Sequence, residues 1–122
     1  MNKYENGLKI RETVIGKNAS QLLSESLKEI APIIDEYTLR TFEEFYSREI
    51  FDVKQREIIT ISSLLTQGDT AQQLKIHIQA GLNVGLTSNE IVEVFVQCLP
   101  YVGFPKVLNA INVAKEVFKN NC

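Results

Sequence analysis

Three amphipathic helices are predicted by the stretch Phe51–Pro105, which reads FDVKQREIITISSLLTQGDTAQQLKIHIQAGLNVGLTSNEIVEVFVQCLPYVGFP. Apolar residues recur there at intervals of three and four, which is the spacing of one face of an α-helix. The stretch holds the single histidine of the chain, His77, followed by Gly81 and Gly85. A glycine inside a helix costs about 1 kcal/mol relative to alanine, so Gly81 predicts that another group approaches closely beside the imidazole. We expect any chemistry of the protein to lie in this stretch.

The same spacing continues on both sides of this stretch and predicts an all-α fold. Asp52 with Gln55, and Thr87 with Glu90, have the spacing of capping boxes at helix starts. We therefore expect a single compact domain over residues 1–122, with about six or seven helices. The predicted helices run from Tyr4 to Ile15, Ser20 to Ala31, Pro32 to Ser47, Val53 to Thr66, from the turn and cap at Gly68-Asp69 to about Val84, Ser88 to Tyr101 and Phe104 to Lys119.

The length of the chain and its last helix predict self-association. A chain of 122 residues forms one modest core but is short for an enclosed pocket of its own, so a site shared between subunits is plausible. The last predicted helix carries apolar residues on several faces, more than one subunit can bury. We therefore expect a homo-oligomer.

Charge and hydropathy exclude two classes of partner. The 13 Lys and Arg against 15 Asp and Glu give a net charge of −2, which provides no basic surface for nucleic acid. No window approaches the roughly 18 unbroken apolar residues of a membrane span, and the charged N-terminal segment does not resemble a signal peptide. We expect a cytoplasmic protein with no membrane partner.

The two cysteines predict neither a metal site nor a redox pair. Cys98 and Cys122 lie 24 positions apart, without the CxxC or metal-ligand spacing. We expect both to be reduced thiols.

The second half of the chain carries a more specific pattern. It comprises Arg56-Glu57-Ile58-Ile59-Thr60, His77, Leu82-Asn83-Val84-Gly85, Glu90-Ile91-Val92-Glu93, Tyr101-Val102-Gly103-Phe104-Pro105 and Asn109-Ala110. This pattern resembles the carboxymuconolactone decarboxylase family, and Tyr4 to Leu8 and Phe42 to Phe51 extend the resemblance over most of the chain. The resemblance implies compact helical subunits assembled into rings, commonly trimers or hexamers. It also implies one of two activities, decarboxylation or hydroperoxide reduction.

The peroxide-reducing branch of that family uses a CxxC pair followed by a histidine. The positions that correspond to its two cysteines, counted back from His77, hold Thr70 and Gln73. A thiol peroxidase attacks peroxide with a thiolate, so an antioxidant, peroxiredoxin-like activity here would have to rest on Cys98. This activity stays the alternative.

The decarboxylase branch implies a lyase that needs no cofactor. An unsaturated lactone delocalises the electron pair that remains when carbon dioxide leaves, so the protein must supply orientation, hydrogen-bond donors and a proton. On this interpretation His77 is the proton donor or oxyanion stabiliser, and Arg56 or Arg48 holds a carboxylate of the small acid or lactone. Glu44 orients the histidine or handles a proton, and Tyr101 donates a hydrogen bond.

Each of these assignments has a structural alternative. His77 is also consistent with a hydrogen-bonded imidazole of purely structural role, Arg56 with Glu57 suits a salt bridge between subunits, and Tyr101 suits packing. Decarboxylases of the family resemble one another in an arginine two residues after the histidine, where this chain has Gln79. The missing cation predicts weaker recognition of a dianionic acid. The chain then acts on another small acid or is a non-enzymatic helical assembly protein.

Overall fold

The computed structural model describes residues 2–121, which form seven α-helices and no strand. The all-α prediction is confirmed, and Cys122 lies outside the described residues. The helices separate into two compact units, one up to Val53 and one from Lys54 onward. The helices are α1 (Lys3–Ile15), α2 (Lys17–Leu27), α3 (Pro32–Glu44), α4 (Val53–Gln67), α5 (Ala71–Asn83), α6 (Ser88–Val102) and α7 (Phe104–Lys119).

Predicted and observed boundaries differ most at α2. Gly16 adopts φ 98°, a left-handed value that ends α1, and the same residue precedes the first residue of α2. Helix α2 therefore begins at Lys17 rather than Ser20, and it ends at Leu27, before the turn that leads to Pro32. The capping box of α6 is present as predicted: the Thr87 hydroxyl accepts from the Glu90 N–H, and the Glu90 carboxylate accepts from the Thr87 N–H.

The first unit is built around a close contact of α1 with α3 and a buried arginine. A Cβ added to Gly7 would lie 2.1 Å from the carbonyl oxygen of Leu39, so α1 approaches the α3 backbone at a position that only glycine fits. One turn further along α1, Arg11 is completely buried. Its guanidinium donates hydrogen bonds to groups on α2 and α3, which joins the three helices.

The second unit has a continuous apolar core contributed by all of its helices. Its members are Ile61 and Leu65 of α4, Leu74 and Ile78 of α5, Leu86, Ile91, Val94 and Phe95 near and in α6, and Val107, Ala110, Ala114 and Val117 of α7.

Gly81 belongs to this core. The groups nearest to a Cβ at Gly81 would be terminal methyls of Leu86, Ile91 and Ile61, at 3.1, 3.4 and 3.5 Å. The close approach that the sequence predicts at Gly81 is therefore made by core side chains, because α5 packs there against its neighbours.

Candidate active site

A buried carboxylate meets the histidine of the chain in the second unit. The Nδ1 atom of His77, on α5, lies 2.8 Å from Oε1 of Glu57, on α4. The Glu57 side chain has no exposed surface, whereas the His77 side chain is 19% exposed. Burying a carboxylate without hydrogen bonds is strongly unfavourable, so the contact with the imidazole stabilises Glu57 in this position.

The position of Glu57 follows from the periodicity of α4. The buried residues of this helix are Glu57, Ile61 and Leu65, which succeed one another at intervals of four. Residues at this interval share one face of a helix, so a glutamate takes the first place of an otherwise apolar stripe. A charge in an apolar stripe indicates a buried carboxylate, but the stripe alone does not say which residue pairs with it. Sequence reasoning considered Glu57 only as a salt-bridge partner of Arg56.

The contact determines which imidazole nitrogen is available for chemistry. In the state with an ionised Glu57, the carboxylate only accepts hydrogen bonds, and Nδ1 is then the donor of this contact. The other nitrogen, Nε2, can then accept a proton from a reacting group or, in the imidazolium form, donate one. When the imidazole becomes charged, the Glu57 carboxylate balances that charge at short distance. The pair has the arrangement of a general acid–base catalyst oriented by a buried anion.

The other residues proposed from the sequence lie in different environments. Arg56 immediately precedes Glu57 on α4 and is half-buried. Tyr101 lies in the last turn of α6 and is 83% exposed. In the first unit, Glu44 is the last residue of α3 and lies 3.8 Å from Arg40 of the same helix, with side chains that are 41% and 39% exposed. Arg48 is exposed in the segment after α3. The carboxylate that the structure places at the imidazole is that of Glu57.

Gln79 lies away from His77 on the surface of α5. Two positions along an α-helix correspond to about 200° of rotation, so the two side chains leave the helix on nearly opposite sides. Gln79 donates to Asn83 at 3.0 Å and to Asn121 at 3.1 Å, and Asn121 donates back to Gln79 at 2.7 Å. Within one chain, the residue that departs from the family pattern therefore faces the C-terminal end of α7 and is not beside the imidazole.

The positions that correspond to the peroxidase cysteines are occupied by polar groups at the start of α5. Thr70 precedes the first residue of this helix and donates its hydroxyl to the Leu64 carbonyl at 2.6 Å, while Gln73 is exposed. Cys98 lies half-buried on α6, against the apolar core of the second unit.

Two structural features are absent from the described part of the chain, residues 2–121. It contains no group of three or more His, Cys, Asp or Glu side chains placed to hold a metal ion. Over the same residues, no helix combines the length and the apolar character needed to span a membrane.

Comparison with known proteins decides the family. The model of the carboxymuconolactone decarboxylase family matches residues 35–116, a region that includes both Glu57 and His77. The chain belongs to the carboxymuconolactone decarboxylase family. The resemblance read from the sequence is thereby confirmed.

Three relatives of this chain have different names. A 4-carboxymuconolactone decarboxylase from Acinetobacter baylyi is 30% identical over 97% of this chain and 88% of its own length. A nitrosuccinic acid decarboxylase from Metarhizium robertsii is 25% identical over 96% of this chain and 82% of its own length. An uncharacterised 15.0 kDa protein from Paracoccus denitrificans is 32% identical over 63% of this chain and 58% of its own length. Similarity to two proteins named as decarboxylases supports a carboxy-lyase kind of activity.

Proposed function

We propose that this protein removes carbon dioxide from a small unsaturated carboxylic acid or lactone, with His77 and Glu57 handling the proton. The observation that carries this proposal is the 2.8 Å contact between the half-buried imidazole and the fully buried carboxylate. The family and the two relatives named as decarboxylases support loss of carbon dioxide. A lactone carbonyl and a nitro group both withdraw electrons, so each of the acids in those names can stabilise the negative charge that decarboxylation leaves.

The reaction follows from the properties of the pair. The bond between carbon and the departing carboxylate breaks, and its electron pair moves into the electron-withdrawing group of the substrate. A lactone carbonyl reached through a conjugated double bond then becomes an enolate, and a nitro group on the same carbon becomes a nitronate. The imidazolium form of His77 then delivers its Nε2 proton to carbon, which leaves a neutral imidazole and the protonated product. Glu57 holds the ring through Nδ1 and stabilises the charged form before transfer. A proton from solvent restores the imidazolium.

Arg56 is our candidate for binding a second carboxylate of the substrate. It precedes Glu57 on α4, and a guanidinium forms paired hydrogen bonds with a carboxylate. Tyr101, Glu44 and Arg48 stay predictions as a hydrogen-bond donor, a proton-handling group and an alternative cation.

The experiment is a measurement of carbon dioxide release from 4-carboxymuconolactone and from nitrosuccinic acid. We expect release from at least one acid, and we expect His77→Ala to lower kcat by about 100-fold or more, because general acid–base catalysis typically contributes that much. Gln72→Ala is the matched control and should keep its activity, because Gln72 is exposed and, five positions before His77 on α5, leaves the helix on a different side. Equal turnover in the His77→Ala variant and the unaltered protein would remove the assignment of the site. No release of carbon dioxide from either acid would show that neither is a substrate of this protein.

We further propose that the protein acts as a homo-oligomer, a trimer or hexamer. Large apolar side chains are exposed at the end of α6 and the start of α7, where Tyr101, Phe104 and Leu108 are 83%, 66% and 54% exposed. Covering these residues with a second copy would remove apolar surface from water. Light scattering after size exclusion should give a multiple of 13.8 kDa, and Leu108→Glu should lower it. A mass of one chain for the unaltered protein contradicts the proposal.

A further inference from the structure

A second cleft lies in the second unit, apart from the His77–Glu57 pair. It has a volume of about 340 Å³ and is bounded by the end of α4, the turn into α5 and one side of α7. Neither His77 nor Glu57 lines it. Cavities of this size with an apolar lining and a few polar groups are typical of small-molecule sites.

The base of this cleft is formed by apolar core residues. Leu65, Leu74 and Ala110 belong to the buried core and are only 2%, 3% and 1% exposed. Two hydrogen bonds to the last carbonyls of α4 hold its edges: Thr70 donates to Leu64 at 2.6 Å, and Lys106 donates to Thr66 at 3.0 Å. Both hydrogen bonds tie the lining of the cleft to the end of α4.

The rim of the cleft carries one positive and one negative side chain. Lys106 of α7 and Asp69 of the turn both line it, yet neither forms a salt bridge with the other or with any further residue in the described part of the chain. The Lys106 ammonium has three N–H donors, of which the Thr66 carbonyl uses one. Asn109 and Asn112, one turn apart on α7, add two amide groups to the same rim.

We propose that this cleft binds a small zwitterion with an apolar side chain, of the class of an apolar α-amino acid. Its carboxylate pairs with Lys106 and the neighbouring asparagine amides, its ammonium pairs with Asp69, and its side chain lies on Ala71 and Val113, the apolar lining residues that are not buried. A zwitterion can pair with both rim charges at once. An anion would instead be repelled by Asp69, and a cation would be repelled by Lys106.

The test is binding of L-phenylalanine to the full-length protein, measured by calorimetry and compared with two analogues that each lack one charge. We expect 3-phenylpropanoate and 2-phenylethylamine to bind at least about ten-fold more weakly than L-phenylalanine, because hydrogen bonds to charged groups are worth about that factor. An analogue that binds as tightly as phenylalanine contradicts the proposal, as does the absence of phenylalanine binding at about 10 mM.

Variants locate the site and separate it from the proposed active site. Lys106→Met keeps the aliphatic stem without the charge, and Asp69→Asn keeps a residue that tolerates the observed φ of 55°, so each should raise the Kd about ten-fold without unfolding. Lys115→Met, on an exposed part of the same helix α7, is the matched control. His77→Ala should leave phenylalanine binding unchanged. Loss of binding in His77→Ala, or full binding in Lys106→Met, would overturn the proposal whether or not the protein is a decarboxylase.

Discussion

The His77 imidazole and the Glu57 carboxylate meet through Nδ1 and Oε1 at 2.8 Å, although the two residues lie on different helices and 20 positions apart. Glu57 is completely buried, whereas the His77 side chain is 19% exposed. Solvent or a substrate can therefore reach the imidazole but not the carboxylate. This order is what a general acid–base pair requires, because the group that exchanges the proton must touch the reacting atoms.

Replacing Glu57 by glutamine tests whether the carboxylate positions and charges the imidazole. Glu57→Gln keeps the volume of the side chain and an oxygen that can accept from Nδ1, but it removes the charge that balances an imidazolium. We therefore expect kcat for carbon dioxide release to fall by about 100-fold with little change in KM. Steady-state kinetics on an accepted substrate, with circular dichroism to confirm folding, provide the measurement.

Glu93→Gln is the control for this variant, because Glu93 is an exposed glutamate on α6 and its replacement removes the same charge from the protein. Its kcat should match that of the unaltered protein. A Glu57→Gln variant that is folded and as fast as Glu93→Gln would show that Glu57 has a structural role only.

Gln79→Ala tests whether the departure from the family pattern affects the site. The Gln79 side chain pairs with Asn83 and Asn121 on the side of α5 away from His77, so its removal should leave kcat/KM within about two-fold. The lost amide hydrogen bonds are exposed and should lower the free energy of unfolding by about 0.5–1 kcal/mol, measured by urea denaturation. A large rise in KM would instead place Gln79 in contact with the substrate.

Local periodicity predicted the helices well but predicted buried charges poorly. Helix α7 has the predicted boundaries, and the capping box at Thr87 has the predicted partners, because both depend on residues within a few positions. The burial of Glu57 and Arg11 depends on partners far along the chain, such as His77 for Glu57 and Asp35 for Arg11. Pairing over such distances is decided by how helices pack, which helical spacing does not encode. His77 could be proposed as a candidate because it is the single histidine, whereas its partner could not.

Arg11→Met tests the buried cation that joins the helices of the first unit. The Arg11 guanidinium donates to Asp35 and Thr38 of α3 at 2.7 Å each, and to the Ser20 hydroxyl of α2 at 2.7 Å. It also donates to Ser24 at 2.6 Å. Methionine fills similar space but leaves these acceptors without their donor, so we expect a loss of about 3–5 kcal/mol in the free energy of unfolding.

Arg40→Met is the matched control for the buried cation. Arg40 lies in the same unit, but its side chain is 39% exposed, 3.8 Å from Glu44 and 5.2 Å from the centre of the Tyr37 ring. Exposed ion pairs and cation–π contacts are each worth up to about 1 kcal/mol. Arg40→Met should therefore lower the free energy of unfolding by much less than Arg11→Met. Similar urea midpoints for the two variants would contradict the stabilising role assigned to Arg11.

The two helical glycines, Gly7 and Gly81, should respond to alanine to very different extents, although helix propensity favours alanine over glycine by up to about 1 kcal/mol. At Gly7 the new Cβ would lie 2.1 Å from the Leu39 carbonyl oxygen, a backbone atom that moves only if α1 and α3 separate. We expect Gly7→Ala to lower the free energy of unfolding by about 3 kcal/mol. At Gly81 the nearest atom is a terminal methyl of Leu86 at 3.1 Å, which can turn aside, so Gly81→Ala should stay within about 1 kcal/mol of the unaltered protein. Urea denaturation of both variants checks the contrast, and a Gly7→Ala variant as stable as Gly81→Ala would show that α1 and α3 do not pack as closely as described.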